Sequence, residues 1–373
     1  MLDTPVRAIP FFNYKGAFSA QESAYLAMLS DIIRRGAFIQ QRDLADFEQH
    51  LAEYLGVRHA IGVGNATDGL IMAFRAAGIG PGNEVIFPSH TMVASPASAA
   101  HAGAVPVPVD IGPDHLIDPD AIEAAITPRT RAILPVHLNG RTCAMDRIEE
   151  IARRHDLLII EDAAQALGSM YKGKLAGTFG VAAAISFYPA KILGCFGDGG
   201  AVVTNDDVVA RQVRLLRDHG RNEEGEVEMW GLNSRLDNFQ AAVLDFQFKD
   251  YDDIISHRRS IASVYQERLG DVRQLVLPAA PNSDPDHFDV FQNYELEADH
   301  RDELRAHLKS YSIGTLVQWG GKAVHQFKGL GFTQSLPKTD RFFERCLMLP
   351  MNMMVSSDDA EYVADRIREF YGA

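Results

Sequence analysis

The sequence predicts an α/β fold, with a large domain on a mostly parallel sheet and a smaller C-terminal α/β domain. Three observations carry this. Short apolar strands alternate with helical stretches through the first two hundred residues, the rhythm of a parallel sheet covered on both faces. The chain has 373 residues, 46% of them hydrophobic, enough for more than one core. A long helical region near residue 250 then separates that rhythm from a tail of different pattern. The expected division is 1–250, a large domain with an N-terminal helical segment, and 251–373, a connector helix with the small domain.

In chain order, residues 19–35 read as a helix. Phe47, Leu51 and Tyr54 recur at helical spacing before Gly56, which stops that second helix. The segment HAIGVGNATDGLIMAF reads as strand, small-residue turn and helix over 67–77. Strand 85–88, helix 92–102 and strand 105–109 come next, then helix 119–125, strand 132–137, helix 145–154 and strand 157–161. Strands 182–187 and 200–205, a helix over 207–218 and one helical region over 239–269 complete the large unit and its connector. The tail holds VFQNYELEA, a helix over 301–309 and a final helix over 357–371.

The formal net charge of −14 argues against nucleic acid as a partner. Apolar runs fall short of membrane-spanning length, so no membrane partner is expected. The start MLDTPVRAIPFFNYKG lacks the long apolar stretch of a secretion leader, and a cytoplasmic enzyme is the expectation. Cys143, Cys195 and Cys346 are too few and too far apart for a disulfide scaffold or a zinc site, and Cys195 reads as a packing residue. No HExxH pattern or paired-cysteine cluster is present, so no metal is expected.

Two strand ends carry chemistry. In LLIIEDAAQALGS, Asp162 closes a strand, where ligands meet open α/β sheets. A carboxylate there can hold a pyridine nitrogen protonated, or simply cap a helical turn beyond the strand. Gln165 stands three residues on and can bond a cofactor or a neighbour. In VAAAISFYPAKILGCFGDGG, Lys191 comes after a strand; Pro189 forces its predecessor extended, and the glycines beyond allow close approach to a ligand. A lysine so placed can form a Schiff base with pyridoxal 5′-phosphate and then carry a proton, although a lone lysine is ordinarily a solvated surface group. Ser186 is a small polar residue in an apolar strand and can reach a phosphate. In GVGNATDGL the chain turns from strand into helix, leaving the N–H groups of Ala66 and Thr67 and the Thr67 hydroxyl for an anion. Such turns are common without ligands. This one fits neither the dinucleotide fingerprint nor the P-loop.

With those segments in view, the chain resembles the DegT/DnrJ/EryC1/StrS family of sugar aminotransferases, in the fold type I, aspartate-aminotransferase-like group of pyridoxal phosphate enzymes. The resemblance runs from IPFFNYKG to REFYGA. Its specific pieces are EDAAQALGS, SFYPAKILGCFGDGGAVVTND and GLNSRLDNFQAAVL. It implies that Lys191 is the Schiff-base lysine, Asp162 the pyridine-nitrogen partner and Gln165 its companion. It makes Ala66, Thr67 and Ser186 the phosphate binders. Asn233 would reach the phosphate of a neighbouring subunit, which implies a homodimer with shared sites; Arg235 would be structural or an aid to the acidic substrate.

Two departures from the family pattern stand out. Met92 occupies, in SHTMVAS, the place of a ring-stacking aromatic; a thioether can also pack on a ring. His90 beside it can contribute near the ring. In GTLVQWGGKAVHQF, the Tyr-Pro pair of many relatives is replaced around Trp319 to Lys322, ahead of His325. Trp319 can stack on a base or sugar or belong to the core. Lys322 can neutralise a diphosphate or be a solvated loop residue, and His325 can touch substrate or be packed.

The reaction implied is amino transfer from L-glutamate to a keto sugar linked to a nucleoside diphosphate, as in deoxyamino sugar biosynthesis for lipopolysaccharides or antibiotics. The scheme is ping-pong, and the ketone is at C3 or C4. Three alternatives remain: transfer to a keto cyclitol, a sugar dehydratase, which in the family carries histidine where Lys191 stands, and a non-catalytic relative.

Overall fold

The computed structural model describes residues 7–373. The first six positions, part of the stretch read for a secretion leader, lie outside the described residues.

The strands, in chain order, are β1 (His59–Val63), β2 (Glu84–Pro88), β3 (Val105–Val109), β4 (Thr130–Ile133), β5 (Leu158–Asp162), β6 (Met170–Tyr171), β7 (Lys174–Leu175), β8 (Ala182–Ser186), β9 (Gly200–Thr204), β10 (Leu275–Val276), β11 (His287–Phe288), β12 (Tyr294–Ala298) and β13 (Cys346–Leu349). Seven form the main sheet, in the order β1-β9-β8-β5-β4-β2-β3. Only β9 runs against the others: it pairs antiparallel with both β1 and β8, and the remaining pairs are parallel. The central strands are buried along nearly their whole length. Continuous apolar runs such as EVIFP and GAVVT are what a sheet covered on both faces requires.

Each expected strand of the main sheet is present, displaced by a residue or so except that β4 ends at Ile133. The helices obey their local signals. Helix Arg42–Leu55 buries Leu44, Phe47, Leu51 and Leu55 on one stripe and ends on Gly56 at φ 65°. Helix Ser357–Tyr371 starts at a capping box of Ser356 and Asp359. Two expected helical stretches differ from the structure, and the second is broken in two. The helix expected over 19–35 is Glu22–Arg35, with a separate short helix, Tyr14–Ser19, ahead of it. The single region expected over 239–269 is Asn238–Phe248 and then Tyr251–Leu269. The reason lies in the buried faces. The first of that pair buries four consecutive residues, Ala241 to Leu244, whereas the second buries a stripe starting at Tyr251. Tyr251 turns inward to donate its hydroxyl to Leu167 O at 2.9 Å. One straight axis cannot serve both faces.

Beyond the main sheet, β10, β12 and β13 form a three-stranded antiparallel sheet. A core of Ile261, Tyr265, Tyr294, Leu296, Leu347 and Ile367 packs around it. Ile9 belongs to that same core and bridges to Ile313, so the N-terminal segment crosses to the C-terminal sheet before its helices begin. Among the described residues no helix is long and apolar enough to cross a membrane.

Candidate active site

The carboxyl ends of the parallel strands gather the chemistry at one edge of the sheet. β5 ends on Asp162, β8 on Ser186, and β1 leads through Gly64 and Asn65 into helix Ala66–Ala76. At that helix start the Asn65 side chain takes the N–H of Asp68 at 2.8 Å. Ala66 and Thr67 occupy the first two helical positions, whose N–H groups have no acceptor within the helix. Two contacts hold the turn. Gly64 N donates to Ser234 Oγ at 3.1 Å. Gly200 packs flat beneath: a Cβ there would lie 2.6 Å from Ala66 N. The result is a rigid pair of free donors on the positive end of a helix.

Asp162 is buried. Ser95 Oγ donates to its Oδ2 at 2.7 Å and Ala164 N to its Oδ1 at 3.1 Å. Thr91 Oγ1 lies 2.7 Å from Ser95 Oγ and extends the chain. Lys191 stands on the turn after β8, its N–H donating to Tyr188 O at 2.8 Å. Burial pushes its amine down to about 8, and Asp162 is the charge that pulls it back up. Thus the two residues chosen from the sequence do share one electrostatic environment. Gln165 offers its amide oxygen to Asn139 N at 2.9 Å and to Asn293 Nδ2 at 3.3 Å. Ser186 Oγ accepts from Tyr188 N at 3.3 Å. Met92 sits between β2 and helix Ala94–His101 and is 53% exposed. Asn233 is exposed, on a loop fixed by Ser234 and by the Arg235–Asp218 ion pair at 2.8 Å. Arg235 is thus engaged by Asp218 within the chain. Cys195 is buried and donates its thiol to Phe187 O at 3.1 Å, a packing role.

The residues expected around the acceptor are placed differently. His90 is buried, with Nδ1 2.8 Å from His115 O and its ring against Phe342 and Phe343. His325 joins Ser89 Oγ at 2.7 Å and Asp340 Oδ1 at 3.0 Å, and its side chain is 7% exposed. Neither imidazole has an open face for a ligand. Trp319 has left-handed backbone, φ 48°, and wedges between two apolar clusters beside His90 and Phe343. Lys322 is exposed, with neither hydrogen bond nor ion pair among the described residues.

A cavity of about 770 Å³ opens instead on the other flank of Lys191. Phe12, Tyr14, Lys15 and Phe196 line it, with Met353 and Met354 from the C-terminal part; Trp319, Lys322 and His325 do not. The Phe12 and Tyr14 rings stack with centroids 5.4 Å apart. Sequence reasoning missed this wall. IPFFNYKG signals it only as an unusual density of aromatics. Ser95 was equally hidden, although a serine buried on a helix of alanines is a signal in itself.

The DegT/DnrJ/EryC1/StrS aminotransferase family model matches residues 20–368. The dTDP-3-amino-3,4,6-trideoxy-alpha-D-glucose transaminase of Streptomyces venezuelae is 41% identical over 368 residues, 97% of this chain and 96% of the relative. The UDP-2-acetamido-2-deoxy-3-oxo-D-glucuronate aminotransferase of Pseudomonas aeruginosa is 35% identical, covering 92% and 95%. The X-ray structure of S. venezuelae DesV superposes with a TM-score of 0.94 at 40% identity, over 98% of this chain and 99% of that one. The chain belongs to the DegT/DnrJ/EryC1/StrS aminotransferase family, whose aminotransferases depend on pyridoxal 5′-phosphate. Its fold is the α/β fold of those enzymes.

Proposed function

We propose that this protein transfers an amino group from L-glutamate to a 3-keto sugar linked to a nucleoside diphosphate, using pyridoxal 5′-phosphate. The observation that carries this reading is the meeting of a desolvated lysine, a buried carboxylate and a pair of free helix N–H groups at one sheet edge. Those groups fit the cofactor. Ala66 and Thr67 would take its phosphate, Asp162 its pyridine nitrogen and Lys191 its aldehyde carbon. Met92 would pack on one ring face, with Gln165 and Ser186 beside it. Bound there, pyridoxal phosphate supplies an electron sink for cleavage of the substrate Cα–H bond.

The protein's own part is set by the geometry. With its amine near 8, Lys191 is neutral in about a tenth of molecules at neutral pH, far more than an ordinary lysine. It can therefore both attach covalently and, once displaced, take and return a proton at the substrate carbon. Ser95 and Ala164 fix both oxygens of Asp162, so its carboxyl group would be held in one orientation toward the ring nitrogen. An intact Lys191 separates this reading from the dehydratase alternative.

For the acceptor, the cavity beside Lys191 has room for a bulky ligand. The exposed Phe12–Tyr14 pair offers a stacking face for the base, and Lys15 a cation for the diphosphate. C3 is favoured because the S. venezuelae relative is named for a 3-amino sugar and the P. aeruginosa relative for a 3-oxo sugar. A homodimer with shared sites is part of the proposal. Asn233 is free to reach a second copy, Trp230 nearby is 91% exposed, and Leu26, Ile33 and Phe38 leave an apolar face open.

The test is a pair of half-reactions monitored by the visible absorbance of the loaded enzyme. Glutamate should bleach the band. After removal of the donor, one of a panel of UDP-, dTDP- and GDP-linked 3-keto and 4-keto sugars should restore it and appear as an amino sugar by mass. Recovery with a free keto cyclitol alone would overturn the substrate class.

A further inference from the structure

We infer that Gln292, two residues before β12, is a positioning residue that holds Lys191 by the backbone on both of its sides. Its Nε2 donates to Ala190 O at 2.8 Å, and its Oε1 accepts from Ile192 N at 2.9 Å. The residues before and after the lysine are thus clamped by one side chain from a hundred residues away. Cys195 N closes the far end of the loop on Phe187 O at 2.9 Å, which leaves the lysine itself to be fixed by its immediate neighbours. Pro189 has no N–H to give, Lys191 N is used in a turn to Tyr188 O, and Gly194, Gly197 and Gly199 come after it.

The clamp is itself anchored. Arg258, buried, donates from Nε to Phe291 O at 2.7 Å and from Nη2 to Gln292 O at 2.6 Å. Phe291 is held at φ 52°, a left-handed conformation for a bulky residue. Gly140 lies against the same segment, and a Cβ there would come within 2.6 Å of the N atoms of Phe291 and Gln292. The next residue, Asn293, donates to Asn139 Oδ1 at 2.8 Å and reaches Gln165 Oε1 at 3.3 Å. Three consecutive residues therefore tie the lysine turn and Gln165 to the C-terminal sheet. A flexible four-carbon side chain delivers its amine repeatably only if its own backbone is fixed. Displacement by about an ångström is enough to spoil a transfer geometry.

The inference rests on the reading of Lys191 as the cofactor-bearing lysine. Two variants test it in the loaded enzyme. Gln292→Met keeps the length and removes both hydrogen bonds. Gln292→Glu keeps the acceptor for Ile192 N and loses the donor to Ala190 O. For Gln292→Met we expect kcat to fall roughly 10- to 100-fold with both KM values within about twofold. The pH midpoint of the visible absorbance should move by about 0.5 unit or more, because the Lys191 nitrogen that joins the cofactor no longer sits in one environment. Amide exchange in the peptide spanning residues 188–194 should quicken, while exchange elsewhere stays unchanged. Gln292→Glu should fall between this variant and the parent, and carries the test if Gln292→Met does not fold. A kcat and an absorbance midpoint equal to the parent's in either variant would overturn the inference. Borohydride labelling of the parent separates the two failures. Label on Lys191 with an unaffected variant sinks the clamp alone, whereas label on another lysine sinks the reading of Lys191 and the clamp with it.

Discussion

At the sheet edge, the polar groups around Lys191 are backbone N–H groups and a carboxylate held at both oxygens, with capacity left for a ligand. Around Trp319 to His325 the buried polar side chains are already satisfied by their neighbours, His325 by Ser89 and Asp340 and the adjoining Gln318 by Asn139 and Glu295, while Lys322 alone stands exposed without a partner among the described residues. Both regions carry residue types that bind ligands. The difference lies in what remains unpaired, and it teaches that a histidine or tryptophan near a site is evidence only after its partners have been counted. The cavity lined by Phe12 and Tyr14 passes that count, since both rings are exposed.

The contrast can be broken at its strong end first. Lys191→Ala should lower turnover on the order of 10³-fold or more, because covalent attachment and proton transfer are lost together. A fall of less than about tenfold would mean another group carries the proton. Asp162→Asn should lower kcat by about a hundredfold with the fold intact. It should also move Lys191. Asp162 raises the amine against the downward pull of burial, so its neutralisation should bring the midpoint of cofactor attachment below about 8. Attachment needs the neutral amine, and its rate in the cofactor-stripped protein should therefore rise with pH through that midpoint. A rise delayed until the pH of an ordinary lysine would show that the amine is solvated.

The acceptor side gives smaller effects. Tyr14→Ala should raise the acceptor KM about tenfold, the worth of one base-stacking contact, and leave the glutamate half-reaction unchanged. His325→Ala should cost about 1–2 kcal/mol of stability in thermal or urea unfolding, since Ser89 and Asp340 lose their shared partner. Its KM values should stay within about twofold. Lys322→Ala should change stability by less than about 0.5 kcal/mol. If it raises the acceptor KM more than Tyr14→Ala does, the acceptor lies on the Trp319 flank and the comparison is reversed.

How much of this was legible in the sequence tracks the same division. Strands β2, β5, β8 and β9 and the helix stop at Gly56 announce themselves because each is set by residues within a few positions. The resemblance assigned Lys191, Asp162, Ala66 and Thr67 their roles, and their strand-end and turn positions could be read directly. The break at Lys249 and Asp250 was not legible, because it comes from where Tyr251 finds Leu167, a distant partner. Gln292 and Asn293 lie in VFQNYELEA, which carries no local signal of a role; only folding brings them to Ala190, Ile192 and Asn139. Trp319 was ambiguous because its left-handed backbone is a property of the packed chain.

The measurement closest to the central claim is reduction of the loaded enzyme with borohydride, then peptide mapping of the fixed cofactor. The account predicts a single adduct on Lys191, in the peptide carrying SFYPAKILG, and none in Lys191→Ala. An adduct on any other lysine, Lys15 or Lys322 included, would contradict it.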